Sequence, residues 1–273
     1  MRKFWILTLL ALATVTASAE EVVMRAFKCQ KQYHGIAVGG PIKVFIEERT
    51  EGNIIIRATE RIHNALEIKV EDQTLKVTLD NFDIKRKSDT LQAEVYVPNN
   101  GALDEFTALA CGIIEVKPQI KAKDVEIECA AASRINIDVV ADEVAIDILG
   151  ASDAKVVAQC ASIEVDLTGA SSLSLTGKAT KGEFDVVGAS SLKGSQFDCS
   201  QLELDCSGAS TANISAEMAD VDTAGASTAN VTCTTQLTAS AAGASTIRYS
   251  GDCKVDITNN SGASTIKKVG SIN

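Results

Sequence analysis

A chain of 273 residues with 36 acidic against 26 basic side chains, a net charge of −10 and a pI near 4.8 is a poor match for nucleic acid or an anionic membrane surface. Aromatic residues make up only 4% of it, too few for a bulky globular core and a poor endowment for stacking sugar rings. Abundant Ala, Val, Ile and Ser suit thin, regularly stacked layers instead.

The chain opens Met1-Arg2-Lys3, runs apolar from Phe4 to about Val15 and reaches Ala17-Ser18-Ala19 before Glu20. A charged start, a short apolar core and a small-x-small site read as a secretory signal peptide over residues 1–19, cleaved after Ala19. The apolar run falls short of the roughly 20 residues that a membrane span needs. An exported protein, periplasmic or extracellular, is therefore expected. Cleavage removes Arg2, Lys3 and the one tryptophan, Trp5, and leaves a net charge of about −12.

Residues 20–107 read as a β-rich N-terminal cap. Ile42 to Ile46, Ile54 to Arg57, Leu66 to Val70, Leu75 to Leu79 and Leu91 to Val97 are strand-like runs. Gly52-Asn53, Glu71-Asp72 and Pro98-Asn99-Asn100-Gly101 punctuate them as turns. Solenoid ends need such atypical segments to cover an open core and an unpaired strand edge.

From residue 108 to 273 the chain repeats itself. Gly-Ala-Ser starts at Gly150, Gly169, Gly188, Gly208, Gly225, Gly243 and Gly262, at intervals of 17 to 20 residues. Ala131-Ala132-Ser133 is a worn copy and Ala110-Cys111-Gly112 a more degenerate one. In Ile163-Glu164-Val165-Asp166-Leu167-Thr168-Gly169-Ala170-Ser171-Ser172-Leu173-Ser174-Leu175, apolar and polar residues alternate on both sides of the glycine. That is the period of a strand with one buried face. Each coil thus carries one strand before a small-residue corner and one after it, with a third short segment near Gly177-Lys178-Ala179 or Gly251-Asp252-Cys253 closing it. Self-similarity at this period predicts an all-β fold, a parallel β-helix of about 19 residues per coil. Crossovers between parallel strands make a right-handed one the expectation. Stacking at about 4.8 Å gives a rod roughly 35 to 40 Å long.

Eight cysteines follow the signal peptide. With no Cys-x-x-Cys and with His34 and His63 far from them, they fit no zinc pattern. Cys160, Cys199 and Cys253 precede the next Gly-Ala-Ser by nine residues and Cys233 by ten, so they read as small apolar column fillers. Cys233 and Cys253 alone fall on adjacent coils in similar columns and are the one candidate disulfide; free buried thiols are the alternative.

Tyr33-His34-Gly35-Ile36-Ala37-Val38-Gly39-Gly40, then Ile42-Lys43-Val44-Phe45-Ile46, then serial Gly-Ala-Ser coils, resemble the head GIN domain family of exported bacterial auto-transporter adhesins. The resemblance implies a β-solenoid with an adhesin-like or envelope role, and it brings no catalytic residues.

Two outward faces follow from the register. Before the corner stand Glu126 and Glu128, Asp147, Glu164 and Asp166, Glu183 and Asp185, Glu203 and Asp205, and Asp220 and Asp222. Like charges 4.8 Å apart in water repel by roughly 0.9 kcal/mol per pair before screening. The strip reads either as a solvated face that keeps the rod soluble or as a divalent-cation surface, although the calcium-binding nonapeptide of other β-helices is absent. After the corner, Ser172, Ser191, Thr211, Thr228, Thr246 and Thr265 form a hydroxyl column, and Asn213, Asn230, Arg248 and Lys267 stand in the next one. No nucleophile–histidine pattern, Gly-x-Ser-x-Gly or phosphate-binding loop occurs.

The sequence thus points to a non-enzymatic, exported, adhesin-like or envelope scaffold with no catalytic, cofactor or metal site. Its partner is a protein, polysaccharide or surface met by a flat solenoid face, and end-to-end self-association is a further expectation. A carbohydrate-active β-helix enzyme and a purely structural envelope protein are the alternatives.

Overall fold

The computed structural model describes residues 21–49, 52–79 and 93–272. The expected signal peptide and residues 91–92 of the expected run from Leu91 to Val97 lie outside the described residues.

In chain order the elements are β1 (Val22–Lys28), β2 (Gly35–Gly39), β3 (Ile42–Glu47), β4 (Asn53–Thr59), α1 (Glu60–Ala65), β5 (Leu66–Glu71), β6 (Thr74–Leu79) and β7 (Ala93–Pro98). There follow β8 (Glu105–Leu109), β9 (Ile113–Val116), β10 (Ile120–Lys121), β11 (Asp124–Cys129), β12 (Arg134–Val140) and β13 (Glu143–Gly150). The long strands are β14 (Asp153–Gly169), β15 (Ser172–Val186), β16 (Ser191–Cys206), β17 (Thr211–Thr223) and β18 (Thr228–Ala241). β19 (Thr246–Ser250), β20 (Lys254–Asn260) and β21 (Thr265–Lys268) end the series.

Alternating burial along these strands, as in β11, sends every second side chain into one continuous core reaching from Tyr33 to Ile247. One face runs β6–β2–β8–β11–β13 and on through the second halves of β14 to β18 to β20. The other runs β7–β3–β9–β12 and on through the first halves of β14 to β18 to β19 and β21. All of these pairings are parallel. The result is the parallel β-solenoid that the repeat predicts.

The Gly-Ala-Ser corner joins the first face to the second. Its glycines have φ between +75° and +93°, a region that costs any residue with a Cβ. They also stack directly: a Cβ on Gly169, Gly188, Gly208, Gly225, Gly243 or Gly262 would meet the carbonyl oxygen of the glycine one coil below at 2.6 to 2.8 Å. The alanine N–H of each corner donates to that same oxygen at 2.7 Å, so the backbones are held in contact. Only Gly150 is free of this crowding, because it sits over Ala131 at 3.6 Å. The worn copies turn by another route, with two successive left-handed residues at Ala110-Cys111 and Ala131-Ala132.

The return bend differs from expectation. Gly177-Lys178-Ala179 is no separate closing segment; it lies inside β15 and pairs in register with Ala158-Gln159-Cys160. The strand runs through this bend, with Gly177 at φ +114° where a Cβ would stand 2.0 Å from the Ala158 carbonyl oxygen, and with register shifts in the coils that follow. The strand breaks at this bend between β12 and β13, at Ala141-Asp142, and again in the last full coil, at Gly251-Asp252-Cys253.

The N-terminal region is irregular in topology. β2 and β3 form a coil that lies between the later β6/β7 coil and the β8/β9 coil. Antiparallel strands then close that end: β5 on β6 through a hairpin with Asp72 and Gln73 at φ 49° and 61°, and β4 on β7 with β1 on β4. The short α1 packs here, with Ile62 and His63 buried.

Candidate functional site

The strand register aligns the acidic strip. Glu128, Asp147, Asp166, Asp185, Asp205 and Asp222 form six consecutive rungs of one column. The parallel column reads Glu105, Glu126, Ala145, Glu164, Glu183, Glu203 and Asp220. Glu105 was not legible as a member, because the repeat does not extend to β8; the alternation Glu105-Phe106-Thr107 is the one signal for it. Partial burial, and after it the neighbouring carboxylates Asp147 and Asp185, push the Asp166 carboxyl above its ordinary value. Asp205 is pushed up likewise, by burial and then by Asp185 and Asp222. Both columns turn to hydroxyls at Thr238 and Ser240.

Ala145 leaves a gap in the second column. A groove of about 380 Å³ opens there between Glu126, Glu143 and Glu164. His34 closes its N-terminal end, with Nδ1 2.7 Å from Asp104 Oδ1.

On the other face the hydroxyl column is in register from Ser172 through Ser191, Thr211, Thr228 and Thr246 to Thr265. Beside it the amides bond to one another along the rod: Asn230 Nδ2 donates to Asn213 Oδ1 at 2.8 Å, and Arg248 Nη1 to Asn230 Oδ1 at 3.4 Å. A second groove, of about 580 Å³, crosses the return bend among Lys178, Asp198, Ser200, Ser215, Glu217 and Thr232.

At the N-terminal end of this face the fold builds a cluster that sequence reasoning missed. Phe45 and Tyr96, outward neighbours on β3 and β7, stack with centroids 5.0 Å apart and planes 12° from parallel. Lys43 Nζ lies 4.7 Å and Lys117 Nζ 5.4 Å from the Phe45 centroid. Each cation also has a carboxylate: Lys43 pairs with Glu115 at 3.3 Å, Lys117 with Glu47, and nearby Arg57 with Glu94 at 2.8 Å. Tyr96 Oη donates to the same Glu94 at 2.9 Å.

A family model described as "Putative auto-transporter adhesin, head GIN domain" matches residues 32–160 and 141–218. The chain belongs to the head GIN domain family. Solved structures share the fold at low identity. A putative adhesin from Parabacteroides distasonis is 17% identical with a TM-score of 0.72, covering 91% of this chain and 97% of that one. One from Parabacteroides merdae is 16% identical with a TM-score of 0.73, covering 91% and 96%. A putative lipid binding protein from Parabacteroides distasonis is 18% identical with a TM-score of 0.57, covering 92% and 96%. No curated protein matches the chain.

The head GIN domain carries its eight cysteines as free thiols. Burial pushes those of Cys160, Cys199 and Cys233 up to about 11 and that of Cys206 to about 12; Cys160, Cys199 and Cys206 suit inert core fillers. Among the described residues no three His, Cys, Asp or Glu side chains are grouped to hold a metal ion. No helix among them is long and apolar enough to cross a membrane.

The corner serines have a role beyond small size. Ser133, Ser152, Ser171, Ser190, Ser210, Ser227 and Ser245 all point inward and are buried. Ser152, Ser190 and Ser227 donate to the carbonyl three residues earlier at 2.7 to 2.9 Å, tying the corner across itself.

Proposed function

We propose that this head GIN domain is an exported, non-enzymatic, adhesin-like scaffold whose acidic face docks a partner that presents cationic groups. The observation that carries the reading is the column of six consecutive solvent-facing carboxylates, held in register by a rigid backbone. Membership of an adhesin family and the adhesin descriptions of its structural relatives support it. A preformed row of charge costs little to order on binding and favours fast, salt-sensitive association. Carboxylates repeated uniformly along a face suit a surface better than the convergent carboxylate pair that glycoside cleavage uses.

The test is binding of the chain to immobilised polylysine, to basic proteins and to neutral and acidic polysaccharides. The triple variant Asp166→Asn/Asp185→Asn/Asp205→Asn serves as the comparison. Cationic targets should be retained by the wild type, released by salt and lost by the variant. Equal binding by the variant would reject the acidic face. Release of soluble sugar fragments from any polysaccharide would reject the non-enzymatic reading.

A further inference from the structure

The return bend carries a column in which cysteine and alanine alternate: Cys160, Ala179, Cys199, Ala216 and Cys233 occupy successive rungs. Two rungs separate each cysteine from the next by roughly 9.6 Å between Cα atoms, beyond the roughly 7 Å limit for a disulfide. The alternation fails once, at the C-terminal end. On the next coil Gly251 takes that rung, and Cys253, two residues on and packed on the core, brings its thiol into side-chain hydrogen-bond contact with Cys233.

The backbone register brings the two segments together at the bend. Thr232 pairs with Ser250 and Gln236 with Lys254, so residues 233–235 face residues 251–253. Gly251, at φ +97°, lies so near that a Cβ on it would stand 2.1 Å from the carbonyl oxygen of Cys233. The site is also where burial gives out: Cys233 is buried and Cys253 half-buried, while Ile257 in the following strand is 50% exposed.

We propose that Cys233 and Cys253 are a disulfide site that staples the terminal coil to the stack when the chain meets a disulfide oxidant, either oxidised glutathione or a protein disulfide. The thiolate of Cys253, the more accessible of the two, attacks one sulfur of the oxidant's disulfide and expels the other as a thiolate. The thiolate of Cys233 then attacks Sγ of Cys253 in the mixed disulfide and expels the second oxidant thiolate. One Sγ–Sγ bond forms and one oxidant disulfide breaks. The two cysteine protons pass to the departing thiolates, and the two electrons leave with the reduced oxidant. This chemistry does not depend on the binding role proposed above.

The experiment equilibrates the purified chain with oxidised and reduced glutathione, alkylates it under denaturing conditions and maps the unreduced peptides. Two of the eight thiols should disappear, with residues 233 and 253 in one cross-linked peptide. Amide exchange across residues 254–268 should slow by at least about tenfold on oxidation and recover on reduction. The double variant Cys233→Ala/Cys253→Ala, which continues the alanine rungs of the column, should show no redox effect on exchange. Eight free thiols after oxidation, or a cross-link elsewhere such as an intermolecular one through the exposed Cys111, would overturn the proposal.

Discussion

Replacing one corner glycine by alanine separates two costs that the stack imposes together. In Gly188→Ala the new side chain must hold φ near +84°, which costs about 1 to 2 kcal/mol. Its Cβ would also stand 2.6 Å from the Gly169 carbonyl oxygen and 3.2 Å from the Gly169 nitrogen. Both are backbone atoms that cannot turn aside, and that carbonyl already accepts the Ala189 N–H at 2.7 Å. Forcing the coils apart there adds about 1 to 3 kcal/mol, for a total near 3 kcal/mol. Gly150→Ala meets only the first cost. Its φ is +76°, but its nearest neighbour across the coils is the Ala131 nitrogen at 3.6 Å. The loss should be about 1 kcal/mol. Urea unfolding of both variants, followed by circular dichroism, gives the comparison. Equal losses, or a loss below about 1 kcal/mol for Gly188→Ala, would refute the argument that stacking rather than dihedral preference fixes the glycine column.

Three other outcomes are expected. Asp166 and Asp205 bind their protons more tightly in the folded chain than the ordinary 3.8, so their contribution to stability is full below that pH and is lost as pH rises through their raised values. Asp185→Asn removes a neighbour they share and should stabilise the fold at pH 7 by about 0.5 kcal/mol, an effect that molar salt suppresses; thermal melts at two salt concentrations check it. His63 is buried with Nε2 2.9 Å from the Val23 carbonyl, and burial holds its pKa below 6.5. The folded state thus resists protonation, and amide protection factors in β1 and α1, corrected for the intrinsic exchange rate at each pH, should fall as pH drops below 6.5, a change absent from His63→Gln. Phe197→Ala empties half of the edge-to-face pair with Phe184, whose centroids lie 6.2 Å apart, and should cost about 3 to 5 kcal/mol by urea unfolding.

The solenoid was legible in the sequence because its contacts are local in a repeating chain: Gly169 meets Gly150 and Gly188, and alternation around each fixes which side chains face inward. The acidic columns were legible for the same reason. Where the repeat is missing, alternation marks a strand without naming its partner. Nothing in Gly35–Glu47 says that this coil slots between β6 with β7 on one side and β8 with β9 on the other. For that reason the stacking of Phe45 on Tyr96, far apart in sequence, could not be read, and sparse aromatics looked like an absence of any aromatic surface. β1 and the six-residue α1 are too short, and too dependent on packing, to announce themselves. The return bend repeats no turn motif from coil to coil: Gly177 at φ +114° marks it in one coil, while Ala158 and Phe197 take the same rung in the neighbours.

The corner serine shows how one repeated letter can hide unequal roles. A buried hydroxyl is tolerated when bonded and costly when not. Ser190 Oγ donates to the Val187 carbonyl at 2.7 Å, and Ser171 Oγ donates to Ser190 Oγ at 3.1 Å. Ser190→Ala removes the first bond and leaves the Ser171 hydroxyl without that acceptor, so a loss of about 1 to 2 kcal/mol is expected. Ser210 occupies the same rung position and is as deeply buried, yet the neighbour its Oγ finds is the weakly polar Cys206 thiol, in place of the carbonyl that Ser190 meets. Ser210→Ala deletes a buried oxygen whose partner is no better than a thiol and leaves a methyl group in its place. It should leave stability within about 0.5 kcal/mol of the parent or raise it. Urea midpoints of the two variants decide the matter. If Ser210→Ala destabilises as much as Ser190→Ala, the serine column acts through a uniform packing or ladder effect, and the individual hydrogen bonds do not govern its energetics.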